Sequence, residues 1–135
     1  MQKVKIEMKN SRINEEPIEV VYWGVHESGD GMDKLTYEES SLTGMEGVHT
    51  CIEVSDNQIR LVRTGNIKST MVFKENYTDR FVYSMEVGSM SMVLETEKVH
   101  ITKGNNRMDI YIRYKLEIGG DPFERNEMTI SVHMN

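Results

Sequence analysis

Met108-Asp109-Ile110-Tyr111-Ile112-Arg113-Tyr114-Lys115-Leu116-Glu117 alternates in character at every step. A helix would scatter Met108, Ile110, Ile112, Tyr114 and Leu116 around its circumference, whereas a strand places all of them on one side. The same period runs outward in both directions. Toward the C-terminus, Gly119-Gly120-Asp121-Pro122 makes a turn, and Met128, Ile130 and Val132 then alternate with Glu127, Thr129, Ser131 and His133. Toward the N-terminus the apolar sets are Met90, Met92 and Leu94; Phe81, Tyr83 and Met85; Ile67, Met71 and Phe73; Ile59 and Leu61; Val48, Ile52 and Val54; Leu35 and Tyr37; Ile18, Val20 and Tyr22; and Val4, Ile6 and Met8.

Turn residues separate these runs. Asp56-Asn57 and Gly65-Asn66 suit two-residue hairpin turns, and Ser28-Gly29-Asp30-Gly31 marks another. The stretch from Asp33 to Ser40 contains helix formers, but its alternation favours a strand. Thr96 continues the phase of Leu94, whereas Val99 and Ile101 fall on the opposite parity. A one-residue bulge near Glu97-Lys98 restores the inward face.

Strands with one apolar face and no helix to cover it must stack on a second sheet or close on themselves. The expectation is an all-β fold, an antiparallel closed or nearly closed barrel of about eight to ten strands. The 135 residues fit one domain, 1–135, with a core of ordinary size. There is no internal repeat, linker or low-complexity tract.

The net charge of −6 argues against a nucleic-acid partner and against anionic membranes, both of which need a basic face. No apolar run reaches the length of a membrane span. Cys51 is the lone cysteine, and the N-terminal Met1-Gln2-Lys3-Val4-Lys5-Ile6 lacks a signal peptide's continuous apolar stretch, so the expected location is cytoplasmic. The sequon Asn76-Tyr77-Thr78 carries no meaning there.

No catalytic constellation emerges, and the chain is expected not to be an enzyme. His26, His49, His100 and His133 lack metal-ligand spacing and are read as solvent-facing strand residues. Cys51 lies beside Glu53 rather than in the electropositive setting a thiolate needs. Gly44-Met45-Glu46-Gly47 lacks the Lys-Ser/Thr of a phosphate loop, and Asp30 with Asp33 reads as a solvated turn. No metal and no cofactor are expected.

The interior carries the informative pattern. Tyr22, Tyr37, Glu39, Thr50, Arg63, Ser69, Tyr83, Thr96, Tyr114 and Asn126 share the inward parity of their strands. A guanidinium in an apolar lumen needs a partner or a place at a mouth. Arg63 therefore either pairs with Glu39 or hydrogen-bonds to tyrosine hydroxyls and carbonyls, closing one barrel end, or anchors with the tyrosines an anionic or polar-headed small ligand; the expected partner is a small apolar or anionic ligand. The candidate lumen residues are Tyr22, Tyr37, Glu39, Arg63, Tyr83, Thr96 and Tyr114. Of eleven methionines, Met8, Met71, Met85, Met90, Met92, Met108 and Met128 also point inward, as core filling or as an adaptable ligand surface. Two readings follow, a non-enzymatic small-molecule-binding barrel and a structural or protein-interaction barrel with a filled lumen. Trp23 and Tyr111 point outward, which allows a homodimer.

Several segments resemble the YwiB family of small bacterial proteins of unknown function. These are Arg63-Thr64-Gly65, the run Tyr83-Ser84-Met85-Glu86-Val87-Gly88 leading to Glu95-Thr96, and residues 110–120 followed by 126–132. Family members often carry a proline or other small residue before the glycine corresponding to Gly88, where this chain has Glu86-Val87. The resemblance spans roughly residues 4 to 133 and implies a calycin (lipocalin-like) barrel. It implies no activity, since the family has none established.

Overall fold

Ten antiparallel strands run through the computed structural model, which describes residues 2–12, 15–41 and 44–134. They are β1 (Gln2–Arg12), β2 (Ile18–Gly29), β3 (Met32–Glu38), β4 (Val48–Ser55), β5 (Gln58–Gly65), β6 (Ile67–Lys74), β7 (Tyr77–Met85), β8 (Gly88–Gly104), β9 (Arg107–Ile118) and β10 (Glu124–Met134). Each strand pairs with its neighbours in the chain, and β1 pairs with β10 from Val4↔Met134 to Arg12↔Asn126. The sheet thus closes into an up-and-down barrel, as the alternation predicts.

The hairpin turns form where the sequence places them. Asp56 (φ 24°) with Asn57 (φ 58°), and Asp30 (φ 53°) with Gly31 (φ 73°), take the left-handed conformation that matches the twist of the flanking strands. The bulge also falls as expected: Thr96 pairs with Tyr114 but Lys98 with Arg113, leaving Glu97 as the extra residue. Val99 is thereby buried, and Glu97 instead accepts a 2.9 Å hydrogen bond from Arg125 Nε.

Two seams interrupt the ladder among the described residues. β2 pairs with β3 only from Val25↔Thr36 to Gly29↔Met32, and β6 with β7 only at Ile67↔Met85 and Lys68↔Ser84. At the first seam, Gly24 lies so close to β3 that an added Cβ would sit 2.5 Å from the Thr36 carbonyl oxygen. At the second, the Asp79 carboxylate accepts the Val72 backbone N–H at 2.9 Å, satisfying a donor without a ladder partner. β6 also packs against β8 there.

The core follows the predicted parity. Ile6, Leu35, Ile52, Ile59, Phe73, Leu94, Ile110, Ile112 and Ile130 are fully enclosed, and Met71, Met92, Met108 and Met128 fill gaps among them. Two expectations need correction. Ile18, placed on the inward face of β2, is 68% exposed because it begins its strand at the barrel rim. Trp23 and Tyr111 keep the outward parity expected of them, Trp23 75% exposed and Tyr111 half-buried by its β8 and β10 neighbours. His26 and Asp33 are not solvated: both carry inward parity at the end of the barrel that holds the β2–β3 and β8–β9 turns.

There, His26 Nε2 lies 2.8 Å from Asp33 Oδ1, and Lys103 Nζ donates to Asp33 Oδ2 at 2.7 Å. The cluster ties the β2–β3 hairpin to the end of β8 and closes the barrel over the core. Burial alone raises the Asp33 carboxyl, but hydrogen bonds from Lys103 and His26 outweigh it and hold the group below its ordinary 3.8. A lowered folded value means that Asp33 contributes stability above the unfolded value and loses that contribution as pH falls through the folded one. Asp33→Asn is accordingly expected to flatten the loss of stability as pH falls below about 4. Urea midpoints measured across that range check this; an unchanged slope contradicts it.

Candidate functional site

The opposite end of the barrel is built differently. Because the strands are in register, inward residues of neighbouring strands line up in rows. Tyr37 stands opposite Thr50, Thr50 opposite Arg63, and Arg63 opposite Ser69, giving a polar belt across β3, β4, β5 and β6. A second row, Asn126, Tyr114 and Thr96, crosses β10, β9 and β8. Above the first belt sits Glu39, one residue past β3, its backbone N–H donating to Val48 O at 2.9 Å.

The Glu39 side chain is only 1% exposed. Burying a carboxylate is unfavourable unless its oxygens are satisfied. Here the Tyr22 hydroxyl donates to Oε1 and the Thr50 hydroxyl to Oε2, each at 2.7 Å. Arg63 Nε lies 3.7 Å from Oε2, an ion pair but too long for a hydrogen bond. Arg63 therefore faces Glu39 and also lines a cavity.

That cavity has a volume of about 630 Å³ and opens at the barrel end. Its wall includes Tyr22, Tyr37, Glu39, Arg63 and Tyr114 from the expected set, with Met8, Val20, Met45, Leu116 and Met128 as apolar lining and Asn10 and Asn126 as polar lining. Arg12, Glu15, Glu16 and Ile18 stand at its rim. The Tyr22 and Tyr37 rings stack at 4.2 Å between centroids, bridging the β2–β3 seam where the ladder has ended.

The Tyr37 and Tyr114 phenols stay protonated. Burial, reinforced by the nearby Glu39 charge, pushes the Tyr37 hydroxyl far above the usual tyrosine range. Burial also raises Tyr114, partly offset by the Asn10 hydrogen bond and by Arg63. The Tyr37 hydroxyl donates to Met8 Sδ at 3.1 Å, and Asn10 Nδ2 donates to the Tyr114 oxygen at 3.3 Å. The site therefore offers one uncommitted hydroxyl donor, that of Tyr114, and the Arg63 guanidinium against a largely apolar wall, with Arg12 at the rim.

Two expected lumen residues lie off the cavity wall. The Tyr83 hydroxyl reaches only Met45 Sδ, at 3.9 Å, and Thr96 is enclosed in the Tyr114 row. Parity gives the side on which a residue lies, not its height along the barrel, so neither position was separable from the others in the sequence. Met45 escaped notice because it sits in a connection without period. Asn10 and Leu116 follow the inward parity of Met8 and Tyr114. Among the described residues, no group of three or more His, Cys, Asp or Glu side chains converges as metal ligands.

A family model described as a domain of unknown function (DUF1934) matches residues 3–130. Among solved structures, the crystal structure of the ywiB protein from Bacillus subtilis is similar, with a TM-score of 0.81 and 21% identity, covering 98% of this chain and 90% of that one. No curated protein matches. The structural likeness carries the fold and no activity.

The hydroxyl donors to Glu39 give a test of the site's construction. Tyr22→Phe and Thr50→Val are each expected to lower stability by about 1.5–3 kcal/mol, the range for a hydrogen bond to a charged group. Tyr83→Phe should cost less than about 0.5 kcal/mol. Urea unfolding of the three variants checks the ranking, and equal effects would show that Glu39 does not depend on those donors.

Proposed function

This chain belongs to the DUF1934 family, and on that footing we propose that it is a binding module rather than an enzyme, whose open barrel end holds one small, partly apolar molecule. The observation that carries this reading is the cavity of about 630 Å³ at the Arg63 end of the barrel, lined by inward residues of several strands. Ligand pockets fall in this size range and combine an apolar wall with a few placed polar groups. Met8, Met45 and Met128 supply an adaptable surface, and Arg63, Asn126 and Tyr114 supply polar contacts.

The chemistry of the wall supports binding over catalysis. On the inner wall Glu39 already accepts from two hydroxyl donors, and Tyr37 and Tyr114 are held protonated, so the open carboxylates of the lining are Glu15 and Glu16 at the solvent-exposed rim. A cytoplasmic location accords with the single free cysteine. No helix of the described residues is long and apolar enough to cross a membrane.

Association through an outer face is the second reading, favoured by Trp23 and Val21 side by side on β2, both exposed. In that case β2 forms a homodimer contact and the cavity is incidental.

Titration with Nile red, a neutral solvatochromic dye, separates the two. The wild type is expected to bind one equivalent. Val20→Trp, which fills the cavity mouth, should weaken that binding by at least about tenfold while leaving the far-ultraviolet circular dichroism unchanged. Trp23→Ser should bind the dye normally. Loss of dye binding in Trp23→Ser but not in Val20→Trp would move the site to the outer face.

A further inference from the structure

Resting on the binding reading above, we infer that the cavity's ligand carries a single negative charge, a carboxylate at the inner end of an apolar body, seated on Arg63. The guanidinium presents five N–H donors. Among the described residues its one charged partner is Glu39, and that contact runs through Nε at 3.7 Å with no hydrogen bond formed. Glu39 has less need of it than a buried carboxylate usually has, since Tyr22 and Thr50 already donate one short hydrogen bond to each of its oxygens. An Arg–carboxylate pair that served only to neutralise a buried charge would close into a two-bonded fork. This one does not, and the Arg63 side chain keeps 15% of its surface accessible along the cavity wall.

Neighbouring groups agree with an acceptor at that place. Ser69 stands opposite Arg63 in the β5–β6 ladder, off the cavity wall, and its buried hydroxyl, which can donate or accept, has no protein hydrogen-bond partner. The Tyr114 oxygen accepts from Asn10, which leaves its own proton to donate. Arg63 and the Tyr114 hydroxyl thus turn donors toward the inner wall, beside the Asn10 and Asn126 amides. An ammonium head would meet the guanidinium, with the Glu39 oxygens already covered. At the rim the Arg12 guanidinium is paired with Glu124 at 3.2 Å, so Glu15 and Glu16 set the local charge and oppose a second negative charge on the outer part of the ligand. Met8, Leu116 and Met128 leave the rest of the space apolar.

Isothermal titration of the wild type with decanoate, decanol and decylammonium tests this without any variant. Decanoate is expected to bind at least about tenfold more tightly than decanol, the value of one charge-assisted hydrogen bond, and decylammonium more weakly than either. Arg63→Met should abolish the preference for decanoate while holding decanol affinity within about threefold, which also reports an intact fold. Decanol or decylammonium equal to or tighter than decanoate in the wild type overturns the charge assignment and leaves the cavity reading standing. Failure of all three probes to bind overturns the cavity reading and the assignment with it.

Discussion

The β1–β10 ladder is the constraint on which the rest of this structure depends. Nine residue pairs between Val4↔Met134 and Arg12↔Asn126 join the first strand to the last and turn a meander into a cylinder. Closure gives every strand the same inside, so the apolar face of each is buried by all the others without a helix or a second layer. It also decides what a polar inward residue must do. Such a side chain has no outer solvent to turn to; it finds a partner across the lumen or sits at an end.

The two ends satisfy that demand in different ways. At one, His26, Asp33 and Lys103 form a compact charge cluster that crosses from the β2–β3 hairpin to β8 and caps the core. At the other, hydroxyls replace charges. Tyr22 and Thr50 satisfy Glu39, the Tyr22–Tyr37 stack spans the seam left by the shortened β2–β3 ladder, and Arg63 remains only loosely engaged. The first arrangement consumes its polar groups locally. The second leaves donors turned toward an open space, which is the physical difference between a plug and a site.

Much of this was legible in the sequence, and the limits have a common cause. Period-two alternation located the strands, the parity switch between Thr96 and Val99 located the bulge, and the shared phase of Tyr22, Tyr37, Glu39, Arg63 and Tyr114 brought the cavity's polar wall together. Parity assigns a side but no height. Tyr83 and Thr96 were therefore grouped with residues whose cavity wall they do not share, and Ile18 was placed inside when it stands at the rim. His26 and Asp33 have inward parity too, yet their residue types suggested solvent, and only the pairing of a distant Lys103 explains their burial. The register that aligns Tyr37, Thr50, Arg63 and Ser69 in one belt depends on four strands at once, and no single segment encodes it.

The methionines of this interior also provide the most direct test, because their methyl groups sample both the packed core and the cavity wall. Methyl-labelled methionine NMR under xenon pressure, with xenon as a small apolar probe, reports which part of the lumen admits a guest. Shifts confined to Met8, Met45 and Met128, with Met71 and Met108 unmoved, are the result predicted by a barrel filled along most of its length and open at the Arg63 end. No shifts at all, or shifts centred on Met71 and Met108, would contradict it.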